Sequence, residues 1–198
     1  MKKIILLLII TFLSLVSYNF CAVSSSVPNC KQIVQDSLFN RFSFINGNVI
    51  LIDYSKPSCE DRLYVYNVDT ETIEYSACVL HGCGTGNTAS KASFSNNPGS
   101  KCSSIGISTT AEISKMKNGY PCIKLDGLSE TNSNIRKRGI CIHPSIMASL
   151  LPFEIKGLNF PLSNSSEGCI SVSFHTFNKI KTLLKEYNNE KIYIISYS

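Results

Sequence analysis

Residues 49–80 read VILIDYSKPSCEDRLYVYNVDTETIEYSACVL and contain three runs rich in β-branched and aromatic residues. The runs are Val49–Tyr54, Arg62–Val68 and Thr72–Leu80, separated by turn-forming sequences at Pro57-Ser58 and Val68-Asp69-Thr70. β-Branched and aromatic side chains fit a pleated, half-buried surface, so each run predicts a strand. The sequence therefore predicts a mainly β domain of the α+β class.

Helical periodicity is found on both sides of this β-rich body. Apolar residues in Cys30–Phe44 recur at helical spacing and predict a helix that packs on the outside of the domain. Ser173 can cap a second helix near the end of the chain. One face of that helix is apolar: Phe174, Phe177, Ile180, Leu183 and Leu184. Further strands are predicted at Gly139–His143 and Lys191–Tyr197.

A long loop is predicted from Gly82 to Thr110, where the composition shifts to Gly, Ser, Asn and Thr. Asn97-Pro98-Gly99 is a strong turn sequence within it. Loops of this length in compact domains are usually functional, which favours a substrate-binding loop over a mobile insertion.

The composition is that of one folded domain. The chain has 198 residues, of which 43% are hydrophobic and 17% are charged. Its 19 basic and 14 acidic residues give a net charge of +5, and the basic residues are dispersed except at Arg136-Lys137-Arg138. Nucleic-acid binding requires a clustered basic face, so no nucleic-acid partner is predicted.

The N-terminus has the pattern of a secretory signal. Met1-Lys2-Lys3 is followed by the apolar run Ile4–Leu13, as in a charged n-region and short h-region. We expect residues 1–24 to be a signal peptide and residues 25–198 to be the folded domain. The alternative is an uncleaved anchor over Ile4–Val23, which would be the protein's contact with a membrane. Either reading predicts export.

Export permits disulfides, and the chain has nine cysteines. Loss of the leader removes Cys21 and leaves eight. If Cys169 works as a free thiol, the other seven form at most three disulfides. C-x-x-C spacing is absent from the sequence, so no metal site is predicted.

Two residues stand out as candidates for nucleophilic chemistry. Cys169 follows Gly168 in a polar turn, and a glycine there lets the Gly168 and Cys169 amides point toward a developing oxyanion. His143 ends an apolar run and precedes Pro144, a position from which a strand presents a rigid side chain to a cleft. Spacing alone leaves Cys169 as either a nucleophile or a disulfide partner.

Six short motifs in a fixed order resemble the exported L,D-transpeptidases of the YkuD type, within the divergent murein L,D-transpeptidase branch. They are His81-Gly82, Phe94-Ser95-Asn96, Ser103-Ser104-Ile105-Gly106, Leu125-Asp126-Gly127-Leu128 with Asn132, Arg138-Gly139-Ile140-Cys141-Ile142-His143, and Ser166-Glu167-Gly168-Cys169. None of them is specific by itself, but six in the right order make coincidence an unconvincing explanation.

The resemblance implies a YkuD-like β-sandwich or barrel with peripheral N- and C-terminal helices. It makes Cys169 the nucleophile, His143 the general base, and the Gly168 and Cys169 amides the oxyanion donors. The implied substrate is a peptidoglycan tetrapeptide stem, which is cleaved before its terminal D-alanine to give a thioester. An amine then forms a cross-link, or water makes the enzyme a carboxypeptidase. The expected protein is a monomer of a bacterial periplasm or envelope that needs no metal or organic cofactor.

The resemblance also nominates substrate-binding residues. His81 is expected either to line the cleft or to fix the loop by hydrogen bonding. Arg138 is expected either to contact substrate or to anchor the Asn132 loop. Ser103 and Ser104 can hydrogen-bond a peptide, although loop serines more often serve their own backbone.

The sequence departs from the common family pattern at three positions. Glu167 stands in place of a histidine, Ser171 in place of an arginine, and Pro144 in place of a glycine. Glu167 is expected to raise the pKa of Cys169 by like-charge repulsion. Two rival functions remain at this point: a non-catalytic, disulfide-stabilised envelope protein that binds wall peptide, and a generic cysteine peptidase.

Overall fold

Eight β-strands form the framework of the protein in the computed structural model, which describes residues 26–39, 41–42, 45–86, 92–150, 166–186 and 191–198. The strands are β1 Asn48–Asp53, β2 Leu63–Asn67, β3 Thr72–Ala77, β4 Gly106–Lys115, β5 Pro121–Gly127, β6 Cys141–Pro144, β7 Ile170–Val172 and β8 Tyr193–Tyr197. They belong to one curled sheet in the order β3-β2-β1-β8-β4-β5-β6-β7. The predicted mainly β fold is confirmed.

The described helices are short and lie around this sheet. They are α1 Cys30–Val34, α2 Ile146–Leu150 and α3 Phe174–Glu186, with 3-10 turns at Cys83–Thr85 and Glu130–Asn132. Helix α1 continues as a π-helical turn, Gln35–Phe39, and is shorter than the predicted segment. The predicted cap of α3 is present, since the Thr176 amide donates to Ser173 Oγ at 3.0 Å.

The sheet curls so that the residues after one edge strand, β3, contact the other edge strand, β7. The Leu80 amide, just after β3, donates to the Ser171 carbonyl of β7 at 2.9 Å. A second bridge joins Gly82 to Ser166. These contacts bring residues 80–85 alongside residues 166–171, although the two segments are far apart in sequence. The curl of the sheet thus creates the close approach on which the candidate site depends.

Strand β1 is buried along its whole length because it separates two cores. Ile50 and Ile52 lie in one core, together with the apolar face of α3. Val49 and Leu51 point to the opposite face and lie in a second core with Leu38, which follows α1. Since neighbouring residues of a strand alternate between its faces, a continuous apolar run is what a strand covered on both sides requires.

Strand β4 corrects the predicted loop. The segment Gly82–Thr110 was expected to be loop throughout, but its last five residues, 106–110, begin β4. Ser108, Thr109 and Thr110 are buried there, and the Thr110 hydroxyl accepts a hydrogen bond from the Ile192 amide at 2.8 Å. Hydroxyl side chains made the segment resemble a loop in composition, whereas their backbone pairs with β5 and β8.

The predicted leader, residues 1–24, and its alternative as a membrane anchor lie outside the described residues. So do Asn164 and Ser165 of the polar turn before Cys169. Within the part of the chain that is described, no helix has the length and apolar character needed to cross a bilayer.

Candidate active site

Cys169 lies immediately before β7, next to the parallel strand β6. The register of the two strands sets Ile142 opposite Ile170 and His143 opposite Ser171. The sulfur atoms of Cys141 and Cys169 are 4.0 Å apart. The two adjacent strands thus assemble four side chains that we call the thiol–imidazole cluster: Cys141, His143, Cys169 and Ser171.

The imidazole of His143 has a hydrogen-bond partner at each ring nitrogen. Its Nδ1 lies 3.0 Å from the Pro144 carbonyl oxygen, and its Nε2 lies 2.9 Å from Ser171 Oγ. A carbonyl oxygen only accepts, so Nδ1 carries a proton and donates it. In the neutral ring, Nε2 is then the basic nitrogen and accepts from the Ser171 hydroxyl. Pro144 and Ser171 therefore fix both the orientation and the tautomer of His143.

Cys169 is surrounded by groups that favour its thiolate. A hydrogen bond from the Cys141 thiol is the largest effect, and burial opposes it. Hydrogen bonding and charge from His143, with the Cys141 backbone amide, add to the lowering and bring the pKa of Cys169 to about 5. The pKa of Cys141 is raised, chiefly because its thiol donates to Cys169 and because it is buried. Cys141 therefore remains the protonated partner.

His143 shows the complementary shift. Burial alone would lower its pKa, but the interaction with Cys169, the Pro144 carbonyl and the negative charge of the thiolate together raise the pKa above its usual value. A lowered thiol pKa beside a raised imidazole pKa favours a thiolate–imidazolium pair. Both shifts make Cys169 the candidate nucleophile of the cluster.

The lowered pKa predicts an unusual pH profile for alkylation. Thiolates, not thiols, react with iodoacetamide, so labelling of Cys169 should reach half its maximum near pH 5 and stay level above that. Peptide mapping after short exposure at each pH measures the rate. Cys30 is the internal control, because burial raises its pKa to about 11 and should keep it unlabelled at neutral pH. A rate for Cys169 that still climbs at pH 8 would contradict the prediction.

Gly168 is required by the geometry of the turn before Cys169. Its φ of +110° is one that side chains with a Cβ rarely adopt, and an added Cβ would lie 2.7 Å from the Cys102 carbonyl oxygen. A Cβ on Gly82 would likewise come within 2.8 Å of the Gly168 Cα. The Gly168 amide donates a long hydrogen bond of 3.3 Å to Ser166 Oγ. Its role as an oxyanion donor, with the Cys169 amide, stays a prediction.

The comparison with known families can now be set against this geometry. The model of the L,D-transpeptidase catalytic domain family matches residues 30–194, from the start of α1 into β8. The protein belongs to this family. The resemblance inferred from the six ordered motifs is thereby confirmed.

One solved structure similar to this L,D-transpeptidase domain is that of Bd1075 from Bdellovibrio bacteriovorus. It shares 17% sequence identity with a TM-score of 0.43, and the match covers 79% of this chain and 50% of that one. The chain thus matches about half the length of that protein. No curated protein matches the chain.

In this L,D-transpeptidase domain, Arg138 organises the loop between Gly82 and β4, which we call the Gly-rich loop. Its guanidinium donates to the Ser95 carbonyl at 2.7 Å, to Ser104 Oγ at 2.6 Å and to the Cys102 carbonyl at 2.6 Å. The guanidinium thus holds the loop before β4, while the Arg138 amide donates to the Asn134 carbonyl at 2.8 Å; a contact of Arg138 with substrate stays a prediction. The Cys102 carbonyl lies close to Gly168, so Arg138 supports the turn that precedes Cys169.

The two predicted serines also make hydrogen bonds within the protein. Ser103 is buried, and its hydroxyl accepts from the Gly82 amide at 2.9 Å. Ser104 donates to the Ser95 carbonyl at 2.9 Å and accepts from Arg138. Both serines hold the loop in place. A direct contact of either with substrate stays a prediction.

His81 is buried and neutral, and it also helps to hold the Gly-rich loop. Its Nδ1 accepts from Arg62 Nη2 at 2.9 Å, and its Nε2 donates to the Gly86 carbonyl at 2.6 Å. Burial and then the charge of Arg62 lower the pKa of His81 to about 4. These contacts support the loop-fixing alternative for His81, and its contact with substrate stays a prediction. The buried Arg62, which also donates to the Val79 carbonyl, was missed in the sequence.

Glu167 does not act on the nucleophile as expected. Its exposed carboxylate pairs with Lys101 at 2.8 Å, and that partner lowers the pKa of Glu167. Cys141 and His143 lower the pKa of Cys169 overall, so a net rise through repulsion by Glu167 is wrong. Lys101 neutralises the charge that the sequence places next to Gly168.

The sequence did not single out Cys141 and Ser171 as members of the site. Each lies two residues from a predicted catalytic residue, Cys141 before His143 and Ser171 after Cys169. That matching spacing was the available signal, because residues two apart on a strand share a face. It becomes informative only when the parallel pairing of β6 and β7 is known.

Proposed function

We propose that the protein is an exported cysteine acyltransferase that acts on peptidoglycan stem peptides as an L,D-transpeptidase. Cys169 is the nucleophile and His143 is the acid and base. The observation that carries the proposal is the placement of Cys169, whose pKa is lowered, beside His143 at the paired ends of β6 and β7, in a chain of the L,D-transpeptidase family.

Acylation uses the charges already present. The Cys169 thiolate attacks the carbonyl carbon that links the stem's diamino acid to the terminal D-alanine, and the carbonyl oxygen becomes an oxyanion. The Cys169 amide, with Gly168, is the donor we assign to that oxyanion. His143 gives its Nε2 proton to the leaving nitrogen, D-alanine departs, and the peptide remains as a thioester on Cys169.

Deacylation reverses the proton path. An amine from a neighbouring stem attacks the thioester carbon while the neutral His143 Nε2 takes its proton. Cys169 leaves as a thiolate, so the ion pair is restored and a peptide cross-link is formed. Water in place of the amine gives a carboxypeptidase by the same steps. The Nδ1 bond to the Pro144 carbonyl keeps the imidazole in its tautomer throughout.

The other predicted site residues support the binding of substrate by holding the Gly-rich loop in place. We assign to His81, Ser103, Ser104 and Arg138 the task of keeping the Gly-rich loop against Gly168, where the stem peptide would pass. The proposal places a monomeric protein in a bacterial periplasm or envelope, because that is where peptidoglycan stems are reached.

The test is conversion of a purified disaccharide tetrapeptide by the full-length protein, followed by mass spectrometry. We expect release of D-alanine, an acyl adduct on Cys169 and a cross-linked dimer, or free tripeptide if water is the acceptor. Cys30→Ala is the matched control, because Cys30 is a buried cysteine in the second core. No release of D-alanine by protein whose Cys169 alkylates rapidly would contradict the proposal. Cleavage of ordinary L-peptides instead would indicate a generic cysteine peptidase.

A further inference from the structure

Two thiols meet inside the thiol–imidazole cluster, and the proposed reaction uses only one of them as a nucleophile. Cys141 is 2% exposed, while Cys169 is partly exposed, and their sulfur atoms are 4.0 Å apart. Both residues come one position before the paired residues Ile142 and Ile170 of neighbouring parallel strands. Neighbouring strands lie about 4.8 Å apart, which falls within the Cα separation that a disulfide spans.

We propose that Cys141 and Cys169 form an oxidation site for hydroperoxides, at which Cys141 converts a sulfenic acid on Cys169 into a reversible disulfide. The inference rests on the proposed function only in that Cys169 is the reactive thiolate. It assigns to Cys141 a chemical role that the transfer of a peptide does not require.

The chemistry balances in two steps. The Cys169 thiolate attacks one oxygen of hydrogen peroxide, the O–O bond breaks, and with one proton the products are Cys169 sulfenic acid and water. The Cys141 sulfur then attacks the sulfenic sulfur, an S–S bond forms, and hydroxide leaves to take up the Cys141 proton as a second water. A dithiol reductant returns both thiols and is itself oxidised to a disulfide.

Charge explains why the second step follows the first. While Cys169 is a thiolate, its negative charge and the hydrogen bond between the two sulfurs help to raise the pKa of Cys141. Conversion of Cys169 to a neutral sulfenic acid removes that charge. Cys141 then loses its proton more readily, and the imidazole of His143 lies in the same cluster to pass that proton to the leaving hydroxide. Oxidation at one sulfur thus activates the other.

Position explains why Cys141, and not another cysteine, is the resolving thiol. Cys122 of β5 is 1% exposed and interacts with Cys141 from the neighbouring strand. Cys141 therefore lies between Cys122 and the nucleophile. Cys169 gains its hydrogen bond from Cys141, which is the sulfur that a sulfenic acid at Cys169 would meet first.

The expected consequence is that Cys169 is protected from irreversible oxidation. A sulfenic acid without a nearby thiol proceeds to sulfinic and sulfonic acids, which dithiols do not reduce. A disulfide at this position blocks the nucleophile but keeps it recoverable. The domain would lose activity in peroxide and regain it in reductant.

The experiment exposes full-length protein to hydrogen peroxide, blocks remaining thiols with N-ethylmaleimide and maps unreduced peptides by mass spectrometry. We expect a peptide pair joined through Cys141 and Cys169, and recovery of the Cys169 thiol after dithiothreitol. In Cys141→Ala, the fraction of Cys169 recovered should fall at least about tenfold, with sulfinic acid in its place. Cys122→Ala is the matched control, because it removes the neighbouring buried thiol and should recover like the wild type.

The readout is the chemical state of Cys169, so it does not depend on turnover. If the muropeptide assay fails while the disulfide forms and reverses, only the proposed function is lost. Accumulation of sulfinic acid on wild-type Cys169 without a linked peptide would overturn the inference. So would a disulfide that joins Cys122 to Cys141 instead. Should Cys141→Ala fold poorly, Cys141→Ser keeps the size of the side chain, and the wild-type map alone still decides between these outcomes.

Discussion

Replacing Cys169 with alanine is expected to lower the rate of D-alanine release from a tetrapeptide stem by at least about 10⁴-fold. The substitution removes the atom that forms the thioester, and no other group in the cluster can replace it. Cys141 is 2% exposed, and its burial, which also raises the pKa of its thiol, keeps it from taking the place of Cys169. His143 and Ser171 retain each other as hydrogen-bond partners, so the fold around the site should survive.

The measurement is the initial rate of D-alanine release, with circular dichroism to verify folding. Cys30→Ala tests whether loss of any buried thiol has the same effect, since Cys30 packs in the core on the other face of the sheet. We expect its rate to remain close to that of the wild type. Substantial activity in Cys169→Ala would mean that the acyl group is carried elsewhere.

Replacing His143 with glutamine is expected to reduce turnover by about 10²- to 10⁴-fold, the range for loss of a general acid and base. Glutamine keeps hydrogen-bonding capacity toward Ser171 and the Pro144 carbonyl but cannot carry the proton. The substitution also removes a positive charge that helps to lower the pKa of Cys169. The alkylation profile of Cys169 should therefore shift to higher pH, toward an ordinary thiol.

Two measurements separate a catalytic from a merely structural role for His143. The first is the rate of D-alanine release, and the second is the pH at which Cys169 alkylation reaches half its maximum. A lower pKa corresponds to a thiolate that persists to more acidic pH, so loss of the imidazolium must move the midpoint upward. Turnover lost with an unchanged midpoint would indicate that His143 only maintains the geometry.

Local patterns predicted most of the sheet. The apolar run at Val49–Tyr54 and the alternating segments after it correspond to β1, β2 and β3, and the C-terminal patterns correspond to α3 and β8. Strands β4, β5 and β7 were missed because they depend on pairing with neighbours far away in sequence. A hydroxyl-rich segment such as Ser108–Thr110 becomes a strand only because β5 and β8 lie on either side of it.

The candidate site also contains residues that a local motif predicts and residues that only the pairing of distant strands brings together. Cys169, Gly168 and His143 were identified because a short motif surrounds each of them. Cys141 and Ser171 required the register of two strands, which no single segment encodes. The support given by Arg138 to the loop behind Gly168 likewise depends on contacts across about forty residues of chain, such as its hydrogen bond to Ser95.

Strand β8 is the last of the described strands along the chain, but it lies inside the sheet, between β1 and β4. Its pairing with β1 is parallel and that with β4 is antiparallel, so both neighbours depend on residues 193–197 for their ladders. Without β8 in place, β1 and β4 would each present an open edge, and the bridges of Leu80 and Gly82 to the β7 segment would still join β1–β3 to β4–β7. We expect insertion of β8 to be a late step in folding, because this strand pairs with two segments that are far from it in sequence.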